Sequence, residues 1–194
     1  PSQTPVVSGD IKPGAKGEIA NASGGEGYTL HLREVGLDAD RFESGIRELG
    51  PISSANCSRH LRLARLYIGD YLADYDYGWA EGERQRLRAV QLNHGLSLGL
   101  FLLENGRAAE AAAEYKKLTD LHPYVEQAHL GLLQSYALLS DQGAVDEQYR
   151  QAERLFEQEL DLELPLLLSE WYAKWNAGEL SAGVLPSALR MDAR

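Results

Sequence analysis

The sequence predicts an all-α protein, a solenoid-like stack of antiparallel helical hairpins with a short β-hairpin ahead of it. Three observations predict this class. Apolar residues recur at helical spacing from about residue 38 to residue 175. Helix-stop signals interrupt them at short intervals, as antiparallel neighbours require. Small and apolar residues also repeat at an offset of 34.

Taken in order, residues 1–22 are rich in Gly, Pro, Ser and Lys without periodicity and read as a tail or loosely held linker. In Glu26-Gly-Tyr-Thr-Leu-His-Leu-Arg33, Tyr28, Leu30 and Leu32 alternate with Thr29, His31 and Arg33. Such alternation after a Gly24-Gly25 turn predicts a strand paired with residues 18–22. Asp38 or Asp40 is expected to cap a helix carrying Phe42, Ile46 and Leu49, which Gly50-Pro51 stops. A second helix is expected over 54–68, with Leu61, Ala64 and Ile68 on one face and Arg59, Arg62 and Arg65 on another. The stretch Gly69 to Gly78 breaks the pattern and reads as an ordered loop, with Tyr71, Tyr75, Tyr77 and Trp79 turned to the core. Five helices then follow, over 79–104, 108–121, 124–139, 144–160 and 165–175. Asn105-Gly106, His122-Pro123 and Asp141-Gln-Gly143 separate them, and Pro165 suits a first helical turn. The expected division is a tail and hairpin over 1–37, a helical domain over 38–177 and a tail over 178–194.

Composition narrows the function classes. The hydrophobic fraction of 44% and charged fraction of 25% are those of an ordinary soluble domain. No apolar run reaches the ~18–20 residues of a membrane helix, and Pro-Ser-Gln-Thr-Pro5 does not resemble a signal peptide. The absence of an initial Met hints at a processed fragment. A lone Cys57 excludes an internal disulfide and fits a reducing, cytoplasmic setting. The net charge is −10; beyond Val90, 16 Asp/Glu face 8 Lys/Arg. Because nucleic-acid affinity comes largely from cationic side chains on phosphates, this half is a poor candidate for DNA binding by itself.

At the 34-residue offset Leu98 pairs with Leu132, Leu102 with Tyr136, Ala111 with Val145 and Tyr115 with Tyr149. The first unit supplies Leu98-Gly99, Leu102, Ala111, Tyr115 and Pro123 at the spacing of a tetratricopeptide hairpin. Gly99 and Ala111 let two helices approach, and Tyr115 and Leu118 fill the space beneath the next hairpin. The second unit has Leu133 where Gly is expected and Glu157 where Pro is expected, so its second helix is expected to run on. Two units cannot bury their own faces, so the helices around 59–68 and 165–175 are expected to act as caps. The inner face of such a stack is its usual binding surface. Register places Asn93, Leu96, Leu100, Gln127, Leu130 and Gln134 there as candidate partner-binding residues.

The surroundings of the repeat carry a family resemblance. Leu63-Ala-Arg-Leu-Tyr-x-Gly-Asp-Tyr-Leu72, Trp79-Ala-Glu-x-Glu-Arg-x-Arg-Leu-Arg88, the repeats, Glu159-Leu160, and Pro165 with an aromatic last helix resemble the bacterial transcriptional activator domain. That domain occurs in antibiotic-regulatory activators and some response regulators. Asp161 departs from the usual Glu-Leu-Gly. The resemblance implies a regulatory domain that follows a DNA-binding winged helix, whose last hairpin Gly25-Glu-Gly-Tyr-Thr-Leu30 resembles. On that view the chain is the C-terminal part of a longer regulator, divided inside its DNA-binding domain and lacking the recognition helix. It would contact DNA only through that domain. Its partner would be a second copy or the transcription machinery. The rival reading is a free-standing peptide-binding adaptor unrelated to transcription.

No constellation points to catalysis, a cofactor or a metal. Cys57-x-x-His60 has no matching second pair, and His122 and His129 straddle a Pro break. Glu110 with Glu114, and Glu153 with Glu157, read as solvated faces, with no apolar pocket evident to raise a carboxylate. Gly24-Gly-Glu-Gly27 lacks the Lys-Ser/Thr of a phosphate loop. Arg59, Arg62 and Arg65, and Arg84, Arg86 and Arg88, read first as helix faces pairing with acids. Their functional reading is contact with phosphates or an acidic partner.

Overall fold

The computed structural model describes residues 18–21, 28–31, 38–70, 78–159 and 161–180. The loop tyrosines Tyr71, Tyr75 and Tyr77, the side chain of Trp79, the Gly24-Gly25 turn and most of both expected tails lie outside them. The backbone of Glu18–Asn21 (β1) pairs antiparallel with Tyr28–His31 (β2), Ile19 opposite Leu30. The body is helical: Asp38–Leu49 (α1), Cys57–Ala64 (α2), Glu81–Glu104 (α3), Ala108–Leu121 (α4), Glu126–Leu138 (α5), Gln142–Arg154 (α6) and Leu166–Asn176 (α7). Gly78–Ala80 forms a 3₁₀ turn leading into α3.

The helices stack as hairpins because each break forces a reversal. Gly106 adopts φ +71, which an L side chain resists, and closes α3 before α4 begins. His122-Pro123 ends α4. Ser140 at φ 58 ends α5, and the Asp141 carboxylate caps α6 by accepting from the Ala144 N–H at 3.0 Å. The missing proline at Glu157 has the expected effect. After Arg154 the chain continues through a π turn, Leu155–Glu159, which carries Phe156 into the core.

Three apolar clusters hold the stack. Phe42, Tyr67 and Leu87 join α1 and the turn after α2 to the start of α3. Leu98, Leu102, Tyr115, Leu118 and Leu132 form the centre, where α3, α4 and α5 meet. Leu130, Val145, Phe156, Leu168 and Trp171 join α5, α6 and α7. Gly99 and Ala111 do stand at close approaches. A Cβ on Gly99 would lie 2.6 Å from Tyr115 Cζ, and Ala111 is fully buried. The ring of Tyr115 is gripped from the other side by Gly131 of α5, a residue the repeat does not single out.

Two expectations need correction. The helix expected over 54–68 ends at Ala64, and Ile68 is 89% exposed. The chain turns early because Tyr67 buries against Phe42, with ring centroids 5.7 Å apart; this larger side chain takes the apolar site. Pro165 stands just outside α7 with an extended ψ of 133, flanking the first turn and not within it.

Candidate binding groove

A groove of about 630 Å³ opens between α1, the turn joining α1 to α2, and α3. Its construction starts with Gly50, whose φ of +64 reverses the chain after α1. The turn is fixed by Asn56, which uses its whole amide. Asn56 Nδ2 donates to the carbonyls of Leu49 at 3.0 Å and Pro51 at 2.9 Å, and Oδ1 accepts from the Ser53 N–H at 2.8 Å and the Ser53 hydroxyl at 3.1 Å. Pinned in this way, Gly50, Pro51 and Ile52 form one wall. Ile46 continues that wall from α1, and Val90, Leu100 and Phe101 face it from α3. Asn93, Ser97 and Glu104 are exposed polar residues on the α3 side.

Two histidines line the groove between these walls. His60 of α2 and His94 of α3 stand 34 residues apart, so the repeat brings equivalent positions into contact. His60 Nδ1 and His94 Nε2 are 3.1 Å apart. Both rings are more than nine-tenths buried. Burial drives His94 down to about 4, with smaller contributions from His60 and Lys117. Burial also lowers His60, opposed by the Gly50 backbone carbonyl beside the ring. The pair is therefore neutral at pH 7 and holds one shared proton bond instead of a charge.

The six residues projected onto the inner face do not form one surface. Asn93 and Leu100 meet in the groove, and Leu96 is half-buried against the central cluster. Gln127 is exposed at the start of α5 and does not line the groove. Leu130 and Gln134 are buried, at 1% and 3% exposure, and offer no surface to a macromolecule. Register alone places Leu130 on the inner face, but the cluster that α7 completes with Leu168 and Trp171 encloses it. Gln134 is buried with neither amide atom hydrogen-bonded.

The two arginine triplets differ. Arg84 pairs with Glu81, and Arg86 bridges Glu83 at 2.7 Å and Glu43 of α1 at 2.5 Å. Arg88 grips Asp70 through two nitrogens. These guanidiniums hold the carboxyls of Glu43, Glu83 and Asp70 below their ordinary range. The Gly-Asp-Tyr-Leu and Trp-Ala-Glu-x-Glu-Arg words thus include ties that fasten α1 and the turn after α2 to α3. Arg59, Arg62 and Arg65 are exposed and form no ion pair among the described residues.

His129 and His122 are tied into internal hydrogen bonds. His129 Nε2 bonds the Pro123 carbonyl at 2.7 Å and its Nδ1 meets Gln148 Nε2 at 3.0 Å. His122 Nε2 meets Gln91 Oε1 at 2.6 Å. Cys57 accepts from Arg107 Nη1 at 3.0 Å. Among the described residues no group of three or more His, Cys, Asp or Glu side chains could hold a metal ion, and no helix is long and apolar enough to cross a membrane. The Glu110–Glu114 pair is not uniformly solvated: Arg107 lowers Glu110, whereas burial raises Glu114. Burial also lowers the neighbouring Lys117, whose ammonium donates to the Ala64 carbonyl.

Comparison with known proteins adds one finding. Residues 37–174 match the family model of the bacterial transcriptional activator domain, a span that begins just before α1 and ends within α7. No curated protein matches the chain.

Proposed function

The chain belongs to the bacterial transcriptional activator domain family, and from that premise we propose that it is the regulatory, protein-interaction part of a transcription activator or response regulator. The observation that carries this reading is the extent of the family match, which takes in the helical body from α1 into α7. A tetratricopeptide-like stack suits the role, since stacked helical repeats present extended surfaces to partners. Its partner is a second copy of the domain or a component of the transcription machinery. DNA is read by a winged helix, of which the β1–β2 ladder is the wing; support for this comes from the resemblance of Gly25-Glu-Gly-Tyr-Thr-Leu30 to such a hairpin. The acidic excess after Val90 supports the same division of labour.

Within the domain, the partner is proposed to dock on α3 at exposed Asn93 and half-buried Leu96 and Leu100, and separately on exposed Gln127 of α5. The test is the pair Asn93→Ala and Gln127→Ala in the regulator, read by reporter transcription and by cross-linking of the purified domain. Both side chains are exposed, so the helical circular dichroism should be unchanged. A loss of transcription of about tenfold or more is expected, the equivalent of about 1.4 kcal/mol of interaction. Unchanged transcription and cross-linking with the fold intact would overturn this surface.

A further inference from the structure

We infer that the chain associates head to tail with a second copy of itself, the outer face of α2 in one copy receiving the outer face of α7 in the next. This rests on the reading of the chain as a protein-interaction domain and assigns the second copy to the ends of the stack. Helix α2 turns Cys57, His60 and Ala64 into the stack, and its other side carries exposed Arg59 and Arg62, with Arg65 at the helix end. None of the three forms an ion pair among the described residues. Helix α7 turns Leu168 and Trp171 inward against α5 and α6 and leaves Leu166 and Glu170, one turn apart, outside. Asp161 and Glu163, just ahead of it, are exposed as well, and neither they nor Glu170 form an ion pair among the described residues.

Two observations say what covers these faces. The first is charge: one face offers unpaired guanidiniums, whose planar fork matches a carboxylate, and the other offers unpaired carboxylates. Lys174, the one basic residue of α7, does not offset its acidic neighbours. The second is apolar exposure. A stack that ends in water needs a polar outer face on its terminal units. Here Ile68, three residues beyond Arg65, is 89% exposed, and Leu162 and Leu166 are 56% and 70% exposed. Of the five large hydrophobics exposed among the described residues, these three lie beside the two end helices, so the ends and not the flanks lack a polar cover. Each face thus holds the charge that the other needs, and each adds an aliphatic surface to bury.

Docked in this way, α2 of one copy lies on α7 of another and continues the layering of the stack. Nucleic-acid phosphate is the other complement to an arginine face, and it suits this one less well. Glu110 and Glu114 of α4 stand close enough to feel the charge of Arg65, the whole chain carries a net −10, and a duplex offers nothing apolar to Ile68. Because the two faces differ, the contact is heterologous. Each copy in a dimer keeps one face free, so association runs on past two copies.

The test is sedimentation velocity of the whole chain and of two variants altered at exposed side chains. The unaltered chain should pass from monomer to dimer to longer species as its concentration rises. Raising salt from about 50 to about 500 mM should weaken that association about tenfold or more, because charges at the edge of a contact are screened. Arg59→Ala with Arg62→Ala spoils the first face, and Glu163→Lys with Glu170→Lys spoils the second. Each variant alone should stay monomeric with unchanged helical circular dichroism. Mixed, the two should form a one-to-one pair and nothing larger, since one intact face of each kind remains and the altered faces do not complement each other. An unaltered chain that stays monomeric, as it would if its own residues 181–194 covered α7, would overturn the inference. So would a dimer that grows no further, indifference to salt, or folded variants that do not pair. Self-association untouched by the α7 variant, with a duplex binding the arginine face, would overturn it in favour of nucleic acid. None of these failures touches the α3 and Gln127 surface, which is read by reporter transcription.

Discussion

Tyr115 and Tyr149 occupy equivalent places in the 34-residue repeat, yet the molecule uses them differently. Tyr115 is completely buried, with its ring wedged between Gly99 of α3 and Gly131 of α5. Tyr149 is half-buried and stacks on Tyr172 of α7, with ring centroids 3.8 Å apart and planes 12° from parallel. The residues 34 positions after Gly99 and Gly131 are Leu133 and Pro165, and neither leaves room for a ring at its Cα. Leu133 is itself fully buried. One unit thus uses its aromatic as a spacer between helices, while the next uses it as a docking plate for the final helix. A repeated residue type fixes neither burial nor role; the size of what stands opposite decides both.

The largest expected effect tests that contrast directly. Tyr115→Ala should destabilise the domain by about 3–5 kcal/mol, since it removes a fully enclosed ring from a site where helices cannot collapse far. Tyr149→Ala should cost about 1–2 kcal/mol, the worth of one stacked pair and a partly buried face. Urea unfolding of both variants checks the difference. Equal losses would mean that α7 depends on Tyr149 as much as the centre depends on Tyr115.

A smaller effect is expected from the glycines. Gly131→Ala drives a Cβ into the Tyr115 ring, a contact that overpacks the interface by about 1–3 kcal/mol. Better helix propensity returns about 1 kcal/mol, leaving a net loss of up to about 2 kcal/mol. Gly143→Ala in α6 meets only Asp141 Oδ1, at 3.7 Å, and should gain about 0.5 kcal/mol. Thermal denaturation of the two variants should therefore shift in opposite directions; shifts of the same sign would show that Tyr115 can yield.

What the sequence makes legible follows the same line. Helix α4 can be placed over 108–121 because a glycine in the left-handed region and a His-Pro pair mark its two ends in local chemistry. The end of α2 cannot, because the choice between burying Tyr67 and burying Ile68 depends on Phe42 and Leu87, which are distant in the chain. The inner face was only partly legible. Asn93 and Leu100 do meet at a groove, but spacing alone does not reveal that α7 completes the cluster enclosing Leu130. Gly131 leaves a faint signal, a mid-helix glycine that needs a packing reason. Asn56 and the His60–His94 contact leave less, since hydrogen-bond partners are set by three-dimensional approach. The 34-residue separation of the two histidines was the available clue, and it becomes meaningful only when helices of the same register lie side by side.

The smallest expected effect is the sharpest test of how Tyr115 is used. Its hydroxyl is buried without a hydrogen-bond partner, and burial pushes its pKa well above the ordinary tyrosine range, with Glu104 adding to the rise. If the site selects for ring volume between two glycines, the hydroxyl contributes only its desolvation cost. Tyr115→Phe then keeps the ring contacts, removes an unsatisfied polar atom and leaves a gap smaller than a methyl group. The domain should be unchanged or more stable by up to about 1 kcal/mol. Tyr149→Phe should be near neutral, since Tyr149 is only half-buried and its contact with Tyr172 is made by the ring. A loss of more than about 1 kcal/mol in Tyr115→Phe would mean that the hydroxyl is satisfied in solution, by a water lodged between α3 and α5. The centre of the stack would then be a polar site built around Tyr115 and would no longer contrast with the second unit as a dry wedge.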